Sequence, residues 1–376
     1  MKNKKLTLVI SAIVCMVLAV AVMIVAFTAP DHKHNLGEAK TYHLTNKGIY
    51  YTRDCDDGCS VKFETEMLLA DVFTTSTEID TIMLDENVVL KEEVVVKSFI
   101  TKDELPFSLN LNINLDLNEH TLTTDIDDVE NNSVFMLNAN YGKINFNIKN
   151  GKIETEDLSY VFRFSTPSDA QDTICLNTNN VEYKVTGHKA TPIYAHNECA
   201  GITVNANNSK FIARKGGKLA DDYGVGVFIN SESEFNFTDC YFEGADAIHV
   251  KHGTVNLTGC ELVNIELAQR SEQATDPSFT AIGSCLAAET YTTSTGMTKF
   301  TITITDCSMV GNYSSIMIYV AQTGEMGQPI SINPASSINV ISCTFNNNPT
   351  AIVDYEIVHY PNNQAPQNQG NQTWVA

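Results

Sequence analysis

Phe235-Asn-Phe-Thr-Asp-Cys240-Tyr-Phe242, Val255-Asn-Leu-Thr-Gly-Cys260-Glu-Leu262, Ile302-Thr-Ile-Thr-Asp-Cys307-Ser-Met309 and Ile338-Asn-Val-Ile-Ser-Cys343-Thr-Phe345 align without a gap. Each begins with apolar residues at alternate positions, the period of a strand with one buried face. All four run in one orientation with like residues at like places, so parallel stacking sets those residues above one another. Weaker copies extend the column upstream through Ser209, Asn179, Gly151, His120 and Asn87, with 20 to 47 residues between successive members. Such a spread excludes a solenoid of fixed repeat length. It suits a β-helix, in which each turn carries three short strands and the corners take the insertions. The shortest turn shows the plan: Tyr241-Phe242, then Ala247 to Val250, then Thr254 to Leu257, then Cys260. A sandwich would need hairpins and antiparallel partners instead. The fold expected is all-β, a right-handed parallel β-helix over residues 61–355, rising about 4.8 Å per turn.

In that fold the four cysteines form an inward ladder of small apolar side chains. Neighbours held at the strand spacing of about 4.8 Å are too far apart for a disulfide, which wants Cβ atoms about 3.8 Å apart. They are expected buried and unbonded. The chain has ten cysteines, of which Cys15 lies in an apolar N-terminal segment, leaving an odd nine. Cys55 and Cys59, in Cys-Asp-Asp-Gly-Cys, read as a small local loop or two free thiols; no second ligand pair follows to complete a zinc site.

Upstream of the repeat, Lys2-Asn-Lys-Lys5 is basic and Leu6 to Phe27 carries no charge over 22 residues. At about 1.5 Å per residue that segment reaches the roughly 30 Å of a bilayer core. It reads as a membrane anchor or, with Ala26-Phe27-Thr28 as cleavage site, a signal peptide within residues 1–29. Either way the remainder is expected outside the cell. Residues 30–60 read as a polar stalk and linker, in which Asp31-His-Lys-His34 is solvated. From Val61 to Val72 the apolar residues Phe63, Met67, Leu68 and Val72 fall at helical spacing, predicting a short helix that covers the first open end of the stack. Residues 356–376, rich in Asn, Gln and Pro, read as a disordered tail.

Hydrophobic residues make up 43% of the 376, enough for a sizeable core, and the formal charge is −21. That charge excludes a nucleic-acid surface, which needs Lys and Arg to replace counterions. It also disfavours an acidic polysaccharide unless a cation bridges the two.

Leu115-Asp-Leu-Asn-Glu-His-Thr-Leu122 resembles the LDLNGHTL signature of secreted bacterial parallel β-helix repeat proteins of the pectate-lyase-like superfamily, with Glu119 in place of the signature Gly. The resemblance covers about residues 60–355 and implies the fold, not one activity, because that superfamily holds lyases, hydrolases and adhesins. Gly244-Ala-Asp-Ala-Ile-His-Val-Lys-His-Gly253 is similar to the polygalacturonase segment with an Asp-Asp pair. Those enzymes use paired carboxylates as acid and base. Here Ala245 replaces the first Asp and only Asp246 matches the second.

Three candidate sites follow. Asp246 and His249 are the catalytic candidates of a polysaccharide hydrolase or lyase. Strand alternation with Phe162 and Phe164 facing in turns Arg163 out, and likewise Tyr194, Phe228, His249 and Met317 or Tyr319. With Lys251, these residues make an exposed stripe able to stack and hydrogen-bond sugars. A corner carrying Asp125, Asp127, Asp128 and Glu130, followed by Glu154, Glu156, Asp157, Asp221 and Asp222, is either a Ca²⁺ site or a solvated acidic edge. The function expected is a non-enzymatic, adhesin-like surface protein whose partner is a glycan or a cell-surface protein, tethered through residues 6–27 if the segment is uncleaved. The alternative is a carbohydrate-active enzyme.

Overall fold

The structure is a computed structural model that describes residues 41–54, 60–65, 68–75, 81–102, 105–126, 132–156, 158–187, 189–215, 224–265, 283–293, 296–311, 314–321, 333–346 and 350–358. Contacts divide the chain into two compact units, residues 1–39 with 52–62, and residues 40–51 with 63–376. In the first unit the described residues belong to the strands Gly48–Asp54 and Ser60–Thr65. The expected anchor, the Asp31–His34 segment, Cys55, Cys59, Asp127, Asp128, Glu130, Asp157, Asp221, Asp222 and residues 359–376 of the expected tail lie outside the described residues, whereas residues 356–358 of that tail belong to the strand Thr350–Val358. No helix among the described residues is long and apolar enough to cross a membrane.

The second unit is almost wholly β, built on one extended sheet whose long-range pairings are parallel. Most of its strands fall into three ladders; Phe99–Lys102 with Leu105–Ser108, and 292–293 with 296–297, form two small antiparallel pairs. Ladder A runs from Val88–Leu90 through Thr121–Thr124, then 152–155 and 181–187, Lys210–Lys215, Tyr241–Gly244, Glu261–Asn264, Ser308–Val310 and Thr344–Asn346. Ladder B runs from Val94–Lys97 through Ser133–Asn138, Tyr160–Ser165, Thr191–Ala195, 225–229, 246–250, Ser284–Thr290, Ser314–Ala321 and Thr350–Val358. Ladder C runs from Thr41–Thr45 through Thr81–Leu84, Asn110–Asp116, 143–149, 174–179, 202–207, 234–238, 253–258, Phe300–Thr305 and Ser337–Ile341. Each strand pairs with the equivalent strand one repeat later, so side chains stack in register.

The register explains the sequence pattern. Tyr241 donates its backbone N–H to Ser209 O, Glu261 to Cys240 O, Ser308 to Cys260 O and Thr344 to Cys307 O. That row is the cysteine column. The residue before each member turns the corner in the left-handed region: Asn208 at φ 47°, Asp239 at 52°, Gly259 at 64°, Asp306 at 53° and Ser342 at 54°. Asn, Asp and Gly tolerate this conformation best, which is why they recur there. Glu119 adopts the same conformation at φ 64°, the position where the signature has Gly. Upstream, the register corrects two members of the column. Gly151 pairs with Val181, not Asn179. Thr121 pairs with Asn87, which leaves His120 opposite Glu86.

Core-facing residues of all three ladders join one apolar cluster. Rings stack along it in register: Phe135 on Phe162 at 5.4 Å, and Tyr183, Phe211 and Phe242 at 5.3 and 5.2 Å. Each fully buried ring contributes about 1.5–3 kcal/mol of transfer free energy. The described cysteines are unbonded; Cys240, Cys260 and Cys307 are buried, whereas Cys343, in the last rung, is partly exposed. Thiols of the column donate to backbone carbonyls, Cys240 to Thr238 O at 3.2 Å and Cys307 to Thr305 O at 3.2 Å. The contact with Cys240 pushes the Cys260 thiol up to about 12. Cys240 itself is held below its ordinary value by the bond from Cys260. At 2% exposure, however, it is shielded from solvent.

Two N-terminal expectations change. Residues expected as stalk form Thr41–Thr45, which pairs with Thr81–Leu84 in ladder C, because Leu44 alternates inward against Leu84. The helix lies at Leu69–Thr75, and Ser60–Thr65 is a strand. Val61 to Thr65 alternates, and the helix buries Val72 and Phe73, the latter against Phe135 and Phe146.

Candidate functional site

The expected stripe is in register. Arg163 pairs with Tyr194, Tyr194 with Phe228, Phe228 with His249, His249 with Ala287 and Ala287 with Met317. All lie on the side of ladder B opposite the core residues Val227, Ile229, Ile248 and Val250. That side is not open. Phe228 is 2% exposed, His249 1% and Lys251 5%, and Met317 is also buried, so the exposed-stripe expectation fails for these four. Arg163 and Tyr194 are half-buried. Phe228 joins Val225 and Ala245, with Tyr194 against them, in a second apolar cluster. Tyr194 stacks on Tyr160 at 4.4 Å and on Phe228 at 5.3 Å. The physical reason is legible in the local sequence: 245–250 and 284–290 lack alternation and are buried on both faces, the habit of covered parallel strands.

Asp246, His249, Lys251 and Glu289 form one buried charge network beneath this face. His249 Nδ1 is 3.0 Å from Asp246 Oδ2, and Nε2 is 3.2 Å from Glu289 Oε2. Lys251 Nζ is 3.0 Å from the same Glu289 oxygen, with Phe228 and Tyr291 rings 5.7 and 5.9 Å from it. Asp246 Oδ1 accepts from Gly283 N at 2.9 Å, Ser284 N at 3.0 Å and Ser284 Oγ at 3.2 Å. Only an imidazolium donates from both ring nitrogens, so the geometry holds His249 protonated. Burial alone pulls its pKa down; the bonds to Asp246 and Glu289 outweigh burial and leave it above the ordinary value. Two carboxylates thus meet two basic side chains in one buried network. Sequence reading found Asp246, His249 and Lys251 but missed Glu289, whose only signal was its place in the long apolar strand Ser284–Thr290.

An accessible polar surface lies on ladder C. Its outward residues include a column of six asparagines, 114, 147, 177, 205, 236 and 256, in direct register. Each amide after the first donates to the oxygen of the one before it: Asn147 to Asn114 at 2.9 Å, Asn177 to Asn147 at 2.8 Å, Asn205 to Asn177 at 2.9 Å, Asn236 to Asn205 at 3.1 Å and Asn256 to Asn236 at 2.8 Å. The next outward column is Asn112, Asn145, Cys175, Thr203, Glu234 and Thr254. This column runs along two adjoining clefts of about 430 and 380 Å³, which share Asp172 and Thr203. Five rung steps of about 4.8 Å make the floor some 24 Å long. The 168–172 segment lines the second cleft and is held by buried Thr166, which donates to Ala200 O at 2.8 Å and accepts from Ala200 N at 2.9 Å. Gly201, at φ 67°, lets the segment sit close; a Cβ there would lie 2.7 Å from Ala170 O.

The acidic corner is described only in part. Asp125 is exposed and pairs with Lys91, and Glu154 pairs with Lys152 and Lys184, whose bonds hold its carboxyl below the ordinary range. Among the described residues, no group of three or more His, Cys, Asp or Glu side chains is arranged to hold a metal ion. Comparison with family models, characterised proteins and solved structures gave no match.

Proposed function

We propose that the chain is an extracellular right-handed parallel β-helix that binds a glycan through one lateral face, as an adhesin does. The three ladders support the fold, since each strand returns to a parallel partner one repeat later and such crossovers are right-handed in about 98% of cases. The basic start and the uncharged run from Leu6 to Phe27 support export. The observation that carries the binding reading is the groove on ladder C, whose cleft beside residues 168–172 is mainly polar and whose continuation past Asn112, Asn145 and Cys175 is mainly apolar. Hydroxyl-rich chains are recognised by convergent side-chain amides, hydroxyls and carboxylates.

The alternative, a polysaccharide hydrolase or lyase, rests on the Asp246–His249 pair. Acid–base catalysis requires a group within reach of substrate and free to exchange a proton. Both oxygens of Asp246 and both nitrogens of His249 are already engaged, and both residues are buried. A glycan array probed with the purified protein, run beside assays for reducing ends and unsaturated products, tests the reading. Saturable binding without product supports it. Product release abolished by Asp246→Asn supports the enzyme.

A further inference from the structure

The two ends of the stack are finished differently. Near the first, the helix Leu69–Thr75 buries Val72 and Phe73, the latter against Phe135 and Phe146. The last described rung, Ser337–Ile341 with Thr344–Asn346 and Thr350–Val358, has no such cover among the described residues. Ile338, Val340, Cys343 and Phe345 pack against the core there, yet all four are only partly buried. Their stacking partners one rung earlier, Ile302, Ile304, Cys307 and Met309, are at most 2% exposed. Ile341, at the end of the same strand, is 46% exposed. An open edge of this kind is usually protected by charged side chains, which keep other strands from pairing with it. That protection is missing from the sequence: residues 326–353 contain no Asp, Glu, Lys or Arg, although charged residues make up 18% of the chain. The rung therefore has the chemistry of a surface that is covered.

The chain carries a segment that fits. Beyond Val358, Pro361 to Gln372 is polar, and Thr373-Trp374-Val375 follows, an aromatic residue between two β-branched ones, the residue types that suit a half-buried strand. Residues 360–376 contain no Asp, Glu, Lys or Arg, so this segment meets no repulsion at an uncharged edge. Trp374 lies 16 residues beyond Val358. At about 3.3 Å per residue that tether reaches roughly 50 Å, and even the nine-residue strand of the rung is only about 30 Å long. Attachment to the same rung also holds the segment at a high effective concentration. A second copy is the weaker occupant, because it brings another −21 charge to the same end. We propose that Thr373-Trp374-Val375 folds back over the open end of the last rung, with the indole on Val340 and Phe345 and residues 361–372 as its tether.

Trp374 is the only Trp in the chain, so tryptophan fluorescence of the purified full chain reports on this residue alone. Its emission is expected to lie to the blue of that in urea and to be shielded from iodide, equally at every protein concentration. Phe345→Gln should move the emission to the red and restore quenching, with the far-ultraviolet circular dichroism unchanged. Trp374→Ala lies outside the rungs and leaves them folded. It should speed alkylation of Cys343, read by peptide mapping, about tenfold, while Cys175 on ladder C keeps its rate. Native emission equal to that in urea, a blue shift untouched by Phe345→Gln, or Cys343 alkylation unchanged in Trp374→Ala overturns the inference. A blue shift that vanishes on dilution, as dimers dissociate, assigns the end to a second copy and overturns it as well.

Discussion

Removing Glu289 separates a structural role for the buried charge network from a catalytic one. Glu289→Ala takes away the carboxylate that Lys251 meets at 3.0 Å and His249 at 3.2 Å. Both cations stay where they are, at 5% and 1% exposure. Breaking one partner out of a buried ion pair costs about 3–5 kcal/mol. Glu289→Gln keeps the shape and an acceptor oxygen and should cost less, about 1.5–3 kcal/mol, the worth of hydrogen bonds to a charged group. Urea unfolding followed by far-ultraviolet circular dichroism measures both. The pH dependence is a second readout with a definite sign. His249 has its folded pKa raised, so its contribution is complete below the unfolded value of about 6.5 and is lost as pH rises through the folded pKa. Stability of the native protein should therefore fall on the alkaline side through a term absent from His249→Gln. A Glu289→Ala cost below about 1 kcal/mol, or a wild-type pH slope identical to that of His249→Gln, would refute the argument.

Other perturbations follow from the ladders. Cys240→Leu overpacks the thiol column and should cost about 1–3 kcal/mol; peptide mapping without reductant should find no Cys240–Cys260 bridge, and finding one would contradict the register. Asn205→Ala breaks the bonds to Asn177 and from Asn236 and should cost about 1–2 kcal/mol in unfolding experiments. Gly201→Val introduces a Cβ 2.7 Å from Ala170 O at a positive φ; proteolysis within 168–172 should accelerate, and an unchanged cleavage rate would show that the wall does not depend on this seat.

The repeat was legible because its inward positions are chemically conspicuous. Cys240, Cys260, Cys307 and Cys343 mark one corner, and the alternating residues before them set the register of ladder C. The weaker upstream copies carry Gly and Val at that corner, and there the count slipped by two at Val181. The helix was misplaced because Phe63 satisfies a helical spacing and a strand alternation at once, and the pairing of Ser60–Thr65 decides between them only in three dimensions. Alternation told which residues leave the core but not what covers them. Alternation alone therefore places Phe228 and His249 on an exposed face, although both are buried. The asparagine ladder was visible as Asn236 and Asn256 flanked by apolar residues, yet an outward Asn in a single strand looks like any solvated residue. Its meaning comes from stacking at the rung spacing. The groove combines ladder C with the separate 168–172 segment, and nothing local in either stretch announces the other.

The most direct measurement of the central claim is glycan binding by wild type and Thr203→Arg side by side, with circular dichroism confirming that both are folded. The account predicts saturable binding by wild type, none by Thr203→Arg, and no cleavage product from either. Equal binding by the two proteins, or product release that disappears in Asp246→Asn, would contradict it.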